Sequence, residues 1–318
     1  MIAFLFPGQG SQKVGMGRSL AEAFPEARAV FDEADAAFAR ENDSRTLSQI
    51  IFDGPDDQLT LTEHQQPAIL TMSIAACRVL EAQGIRPDFV AGHSLGEYSA
   101  NVAAGTLGFG DAVRMVRMRG RFMQEAVPVG VGAMAAILGG DEALVRTACD
   151  EAAQGEVVSP ANINGPGQIA IAGHAGAVAR ASELAKARGA RKAVPLPVSA
   201  PFHCALMQPA AQRLGPELRA LRVSDPRVPV VANVDAQEKR DARSAIDALV
   251  QQVASPVRWH DVVRHLASAG VTTYVEVGPG TVLSALVRRI HQDAHVVHIE
   301  SPEDLGAVVS ACSISAEK

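Results

Sequence analysis

At 318 residues the chain exceeds the usual size of one domain, so a large domain with a smaller one is the expected organisation. Hydrophobic residues make up 47% and charged residues 20%, an ordinary globular balance. The formal charge of −6 excludes a generally basic nucleic-acid binder. Cys77, Cys149, Cys204 and Cys312 show no paired spacing, which points to a reducing compartment rather than a disulfide framework. The apolar start, Met1 to Pro7, is shorter than a signal peptide and has no basic leader. No apolar run approaches the ~20 residues of a membrane span. The expectation is a soluble cytoplasmic protein with no nucleic-acid and no membrane partner.

In chain order, Ile2 to Phe6 predicts a short buried strand. It breaks at Pro7-Gly-Gln-Gly-Ser-Gln12, where Gly8 and Gly10 allow a close backbone approach beside a site. Residues 18–40 carry Leu20, Phe24, Val30, Phe31 and Phe38 on one helical stripe. Glu41 to Arg45 and Asp53 to Asp57 read as polar turns, and Pro67 to Gln83 as an apolar helix capped by Gly84. An apolar strand, Phe89 to Ala91, then runs into Gly92-His-Ser-Leu-Gly96, and an Ala-rich helix follows up to Gly105. This is G-x-S-x-G in the context it requires, strand then tight turn then helix. Side chains at the two glycines would collide with strand or helix. Ser94 is thereby presented at a helix N-terminus, where free N–H groups favour developing negative charge.

Asp111 to Gln124 predicts a second helix. Arg114, Arg117 and Arg121 share one face of it by three- and four-residue steps, as on a solvated face, and Arg119 lies off that row. An arginine turned toward a site would hold an anion through its planar fork. Val129 to Gly132 marks a change of composition. Beyond it, strand Met134–Leu138, helix Glu142–Ala153, a hairpin of 157–164 and 168–173, helix Ala175–Ala187 and strand 191–198 give the order β-α-β-β-α-β of a ferredoxin-like unit. The expected division is a large domain of residues 1–130 and 199–318 around a small one of 131–198.

His203 follows Ser199-Ala-Pro-Phe202, between a strand end and a helix expected over 205–220, a favourable place for a catalytic group. Strands at 228–233 and 274–277, and helices at 245–253, from 257 and at 282–290, complete a largely parallel α/β sheet. Residues from about 302 read as a loose tail. No metal-ligand spacing is present.

These landmarks resemble the malonyl-CoA:acyl-carrier-protein transacylases and the related acyltransferase domains of polyketide synthases. They are Phe6-Pro-Gly-Gln-Gly-Ser-Gln12, Gly92-His-Ser-Leu-Gly-Glu-Tyr98, Arg119-Gly-Arg121, Ala161-Asn-Ile-Asn164, Phe202-His203, Ser255-Pro-Val-Arg-Trp259 and Glu276-Val-Gly-Pro-Gly280. The resemblance spans nearly the whole chain. It implies a hydrolase-like α/β core with a mostly parallel sheet, an inserted ferredoxin-like subdomain, and an active site between them. It implies Ser94 as nucleophile, His203 as general base, the backbone N–H groups of Gln9 and Leu95 as oxyanion hole, and Arg119 as holder of the malonyl carboxylate. Gln252 matches the position whose main-chain carbonyl orients the histidine, and Phe202 and Asn162 fall at the substrate pocket. The implied reaction is ping-pong transfer of malonyl from malonyl-CoA to the phosphopantetheine thiol of acyl carrier protein, for fatty-acid synthesis, by a monomer without a bound cofactor. An acyltransferase serving a polyketide synthase and a serine hydrolase or thioesterase are the alternatives.

The chemistry agrees with that assignment. A serine hydroxyl needs a base, and neutral histidine serves. No acidic residue after Ser94 claims the role of orienting the histidine, which argues against an ordinary hydrolase triad. Three features depart from the family. Asn101 stands where an aliphatic residue is usual, residues 41–46 read as a local insertion, and Pro201-Phe202 resembles malonyl-selective polyketide enzymes. A carrier protein is acidic, so Lys186, Arg188, Arg191, Lys192, Arg288 and Arg289 are candidates for a local basic docking patch.

Overall fold

The computed structural model describes residues 1–39 and 44–316. Its elements run β1 (Ile2–Phe6), α1 (Arg18–Ala23), α2 (Pro25–Phe38), α3 (Leu47–Asp53), α4 (Asp56–Leu59), α5 (Thr62–Ala82), β2 (Phe89–Gly92), α6 (Gly96–Ala103) and α7 (Phe109–Ala126). Next come β3 (Gly132–Leu138), α8 (Glu142–Ala153), β4 (Val158–Gly165), β5 (Gln168–His174), α9 (Ala175–Ala187) and β6 (Lys192–Pro195). The chain ends with α10 (Gln208–Arg219), β7 (Val230–Val231), β8 (Glu238–Lys239), α11 (Ala242–Gln252), α12 (Trp259–Ser268), β9 (Thr273–Val277), α13 (Val282–Ile290), β10 (His295–Ile299) and α14 (Leu305–Ala316).

The larger sheet has the order β10-β9-β1-β2-β7-β8, parallel throughout except for the short β7–β8 pair. β1 lies inside it, and its side chains alternate between two cores. Phe4 and Phe6 pack on one face with residues of α2, α5 and α7, while Ala3 and Leu5 pack on the other with Trp259 of α12 and Leu286 of α13. Burial on both faces explains why the strand reads as an unbroken apolar run.

The second sheet is antiparallel, with order β4-β5-β3-β6. Helices α8 and α9 bury Val145, Ala148, Val178 and Ala181 against Ile137, Ile169 and Ile171. Taken as the strands of one unit, this order is ferredoxin-like, as the sequence predicts. The unit is tied to the main sheet's surroundings by backbone. Val257 N–H donates to Ala161 C=O and Val257 C=O accepts from Ile163 N–H, both at 2.8 Å.

Several expected elements are corrected. Residues 18–40 form two helices, because Pro25 opens a new one at its first turn. The helix expected from Pro67 begins at Thr62, and Pro67 lies inside it. The strands expected at 191–198 and 228–233 shrink to Lys192–Pro195 and Val230–Val231. The helix expected over 205–220 opens as a short 3-10 turn, Ala205–Met207, before α10. The expected tail is instead the helix α14, which buries Val308, Ala311 and Cys312. The polar turn at 41–45 and the insertion at 41–46 fall in part outside the described residues. Among the described residues no helix is long and apolar enough to cross a membrane.

Candidate active site

The site grows from the turn between β2 and α6. β2 pairs with β1, and His93 N–H continues that ladder to Phe6 C=O at 3.0 Å. A Cβ at Gly92 would lie 1.9 Å from the Gly96 carbonyl carbon, and one at Gly96 2.0 Å from the Phe6 carbonyl oxygen. Only glycine fits either position. Between them Ser94 is forced to φ 52°, a left-handed conformation that side-chain-bearing residues rarely adopt. Gly8 approaches from the first loop, where a Cβ would meet His93 C=O at 2.6 Å.

His203 reaches the serine from the loop before α10, itself at φ 60°. Its Nε2 lies 2.6 Å from Ser94 Oγ, and its Nδ1 lies 3.0 Å from the Gln252 main-chain oxygen at the end of α11. A carbonyl only accepts, so Nδ1 carries the proton and Nε2 faces the hydroxyl as acceptor. Burial and the nearby Arg119 charge push this imidazole down to about 3. It is therefore a neutral base at neutral pH.

Arg119 leaves α7 toward the same point and is fully buried. Its Nη1 donates to Gln66 Oε1 at 2.7 Å; its Nη2 donates to Gln252 Oε1 at 3.0 Å and to Ser94 Oγ at 3.3 Å. Its Cζ sits 5.5 Å from the Tyr98 ring centroid. A guanidinium held this way presents its charge within reach of any group on the serine. Of the row of arginines expected to be solvated, Arg114 is exposed, but Arg117 is buried. It lies 3.7 Å from the Phe38 ring centroid and donates to Phe38 C=O at 2.5 Å. A cation fits there because the ring face and a carbonyl replace its water.

Sequence reasoning missed a buried polar lattice behind the elbow. Asn233 Oδ1 accepts Ser94 N–H at 2.7 Å, its Nδ2 donates to Gly92 C=O at 2.7 Å, and its own N–H donates to Glu97 Oε2 at 2.9 Å. Gln252 Nε2 donates to Ser94 C=O at 2.9 Å and to Glu97 Oε2 at 2.8 Å. The strained serine backbone is thus held on both its N–H and its C=O. Burial pushes the Glu97 carboxyl up to about 7, against its two hydrogen bonds. His93 Nε2 meets Asn164 Oδ1 at 2.8 Å, linking the elbow to β4 of the small unit, and its ring lies 5.6 Å from that of Trp259. Asn101 is fully buried and turns its Nδ2 back to Glu97 C=O at 2.8 Å, so this departure bears on packing of α6.

The remaining expected residues are placed as follows. Gln9 Nε2 donates to Gln65 Oε1 at 2.5 Å, which anchors the first loop to α5. Leu95 is the residue before α6, buried, with helical backbone. Phe202 is buried in the main core beside His203. Asn162 is buried in β4, at the bridge to Val257. A separate cavity of about 710 Å³ lies between β3, β6 and α9, bounded by Met134, Val178 and Pro195. It is lined away from the serine and contributes no group to this chemistry.

An elbow serine, a neutral imidazole oriented by a carbonyl rather than a carboxylate, and a buried cation beside the hydroxyl have the geometry expected of a serine acyltransferase handling an anionic acyl group. Comparison with known proteins narrows the class. A family model described as the acyl transferase domain matches residues 3–305, and the chain belongs to that family. It is 50% identical over 305 residues to the malonyl CoA-acyl carrier protein transacylase of Bacillus subtilis, covering 96% of this chain and 95% of that protein. It is 50% identical over 308 residues to that of Escherichia coli K12, covering 96% and 98%. Among solved structures, an acyl carrier protein S-malonyltransferase from Vibrio cholerae superposes with a TM-score of 0.93 at 45% identity, covering 96% of this chain and 99% of the other. A malonyl-transacylase in complex with its type II polyketide-synthase acyl-carrier protein gives 0.93 at 44% identity, covering 97% and 99%.

Proposed function

We infer that this chain is an acyl-carrier-protein S-malonyltransferase, moving malonyl from malonyl-CoA to the phosphopantetheine thiol of an acyl carrier protein in fatty-acid synthesis. The observation that carries this reading is the buried Arg119 guanidinium 3.3 Å from Ser94 Oγ. A water-excluded cation there suits an acyl group ending in a carboxylate, which is costly to bury unpaired.

In the first half-reaction Ser94 Oγ gives its proton to His203 Nε2 and bonds to the thioester carbon. The oxyanion forms beside the backbone N–H groups of Gln9 and Leu95, which serve as its donors. The C–S bond breaks, the imidazolium returns the proton to the coenzyme A thiolate, and malonyl remains on Ser94. The carrier thiol then enters, gives its proton to the same imidazole and bonds to the ester carbon; the C–O bond to Ser94 breaks and the imidazolium returns the proton to Ser94 Oγ. Arg119 holds the malonyl carboxylate through both steps, while Phe202 and Asn162 shape the pocket around the acyl group. A carbonyl partner fixes the His203 tautomer but stabilises imidazolium less than a carboxylate does. This reaction runs in the cytoplasm and uses no resident metal or cofactor.

Incubation with malonyl-CoA, followed by intact-protein mass measurement, tests the reading. A single malonyl adduct on the parent, lost in Ser94→Ala, is expected. An adduct that persists in Ser94→Ala overturns the nucleophile assignment, and turnover to free malonate without an adduct favours a hydrolase. Presenting fatty-acid and polyketide carriers to the malonyl-enzyme separates the two pathways.

A further inference from the structure

The mechanism above gives no task to Glu97, a carboxyl with 1% exposure in the first turn of α6. Its Oε2 accepts from Gln252 Nε2 at 2.8 Å, and the Oε1 of the same amide accepts from Arg119 Nη2 at 3.0 Å. An ionised carboxylate is an acceptor only, so it obliges Gln252 to turn its NH₂ toward Glu97 and its oxygen toward Arg119. One side-chain amide thereby joins a buried anion to a buried cation.

We propose that Glu97 is the counter-charge of Arg119, coupled to it through the Gln252 amide, and that it is a positioning residue setting the preference for a carboxylate-bearing acyl group. The proposal rests on the malonyl reading above. With no acyl anion bound, an ionised Glu97 balances Arg119. A malonyl carboxylate adds a second anion to one cation in a medium where charge is poorly screened. Taking up a proton on Glu97 restores the balance, and its burial keeps that proton available near neutrality. Tyr98 of α6 itself, its ring 5.5 Å from Arg119 Cζ, and His203, which feels the Arg119 charge, also face the pair. α7 brings Arg119, the loop after β7 brings Asn233 and the exposed Asp235, and α11 brings Gln252. The buried polar residues of α5 are uncharged, and β1 and β2 are apolar.

The test is the ratio of kcat/KM for malonyl-CoA to that for acetyl-CoA in the acylation step, followed across pH. His203 and the coenzyme A phosphates act on both substrates and cancel in the ratio. In the parent the ratio should fall about three- to tenfold from about pH 6 to about pH 8, the factor for about half to one pKa unit of coupling. Glu97→Gln keeps an oxygen for the two donors and is permanently neutral. Its ratio should stay flat at the parent's low-pH value. A flat parent ratio, or the same slope in Glu97→Gln, overturns the proposal. Should the variant fail to fold, an indicator dye near neutral pH decides on the parent alone. Extra proton uptake with malonyl-CoA over acetyl-CoA is expected, and equal uptake overturns it. Absence of any malonyl adduct on the parent would instead refute the functional reading beneath.

Discussion

Arg119 Nη2 lies 3.3 Å from Ser94 Oγ, so the residue proposed to read the acyl group and the residue proposed to carry it are in direct contact. The guanidinium is held by Gln66 and Gln252 and does not need to be recruited. Removing one partner of a buried charge pair typically costs about 3–5 kcal/mol. Arg119→Ala should therefore lower malonyl transfer by roughly two to three powers of ten, at about 1.4 kcal/mol per decade. Acetyl transfer should fall much less, because acetyl has no anion to strand. Competition between malonyl-, methylmalonyl- and acetyl-CoA measures this. Equal losses for malonyl and acetyl would make Arg119 a support of the fold rather than a reader of the carboxylate. In the parent, Phe202 should disfavour methylmalonyl without excluding it, since one extra methyl in a pocket is worth only ~1–3 kcal/mol.

The second prediction concerns pH. His203 is pushed from an ordinary 6.5 down to about 3, first by burial and then by the Arg119 charge. The free enzyme's base is thus neutral throughout the ordinary range, and kcat/KM for acetyl-CoA should show no acid limb near pH 6.5. A limb at that pH would mean an imidazole free to protonate. Stability follows with the opposite emphasis. Between about 6.5 and 3 the unfolded chain binds a proton at this imidazole that the folded one refuses, so stability drops as pH falls through that window. Thermal unfolding of His203→Ala should lose less on acidification than the parent does.

The elbow was legible because its constraints are local. Gly92 and Gly96 are two residues either side of Ser94, and their spacing encodes the close approach that the packing enforces. The small unit's order of strands and helices was legible for the same reason, each being a run of consecutive residues with one period. What stayed hidden is the lattice that holds the site. Asn233 is 139 residues from Ser94, Gln252 is 155 from Glu97, and Gln66 is 53 from Arg119. Isolated amides and acids carry no periodic signal, and only the assembled sheet brings them together. β8 and β10 were missed because both lie at the ends of the sheet order. β10 is interrupted by His295 and His298 and so lacks the apolar run of β1. Arg117 read as solvated because a helical face assigns direction, whereas the Phe38 ring and carbonyl that receive it belong to another helix.

Gln252 provides a third prediction, since its backbone and side chain act separately. The backbone oxygen orients His203 and survives any substitution. The side chain fastens Ser94 C=O, Glu97 and Arg119, and those contacts do not survive truncation. Gln252→Ala should retain a detectable malonyl adduct, unlike Ser94→Ala, while losing more for malonyl than for acetyl. Losing its buried hydrogen bonds should also lower the melting temperature, since each buried group left unpaired costs about 1–3 kcal/mol. Gln252→Glu would add an anion beside Glu97 and should be worse than Ala. Parent-like kinetics in Gln252→Ala would confine the residue's role to its carbonyl.

The last prediction concerns the carrier. A chain with a formal charge of −6 that takes an acidic partner has to offer a local basic surface. The candidate cations are unequal once their neighbours are considered. Lys186 pairs with Glu183 at 2.7 Å and Arg188 with Glu151 at 2.5 Å, so each presents a compensated charge. Arg288 donates to Val296 C=O at 2.9 Å and Arg289 to Gln168 Oε1 at 3.0 Å, which anchors both without neutralising them. Arg191 and Lys192, at the start of β6, are exposed. Charge reversal at Arg288 and Arg289 should therefore weaken transfer to the carrier more than reversal at Lys186 and Arg188. The half-reaction with malonyl-CoA serves as the internal control. The KM for carrier should rise with salt, because exposed charges are screened beyond about 8 Å at physiological ionic strength. The arginine variants should flatten that rise. A carrier KM indifferent to salt, or an equal effect of both pairs, would place the docking surface elsewhere on the molecule.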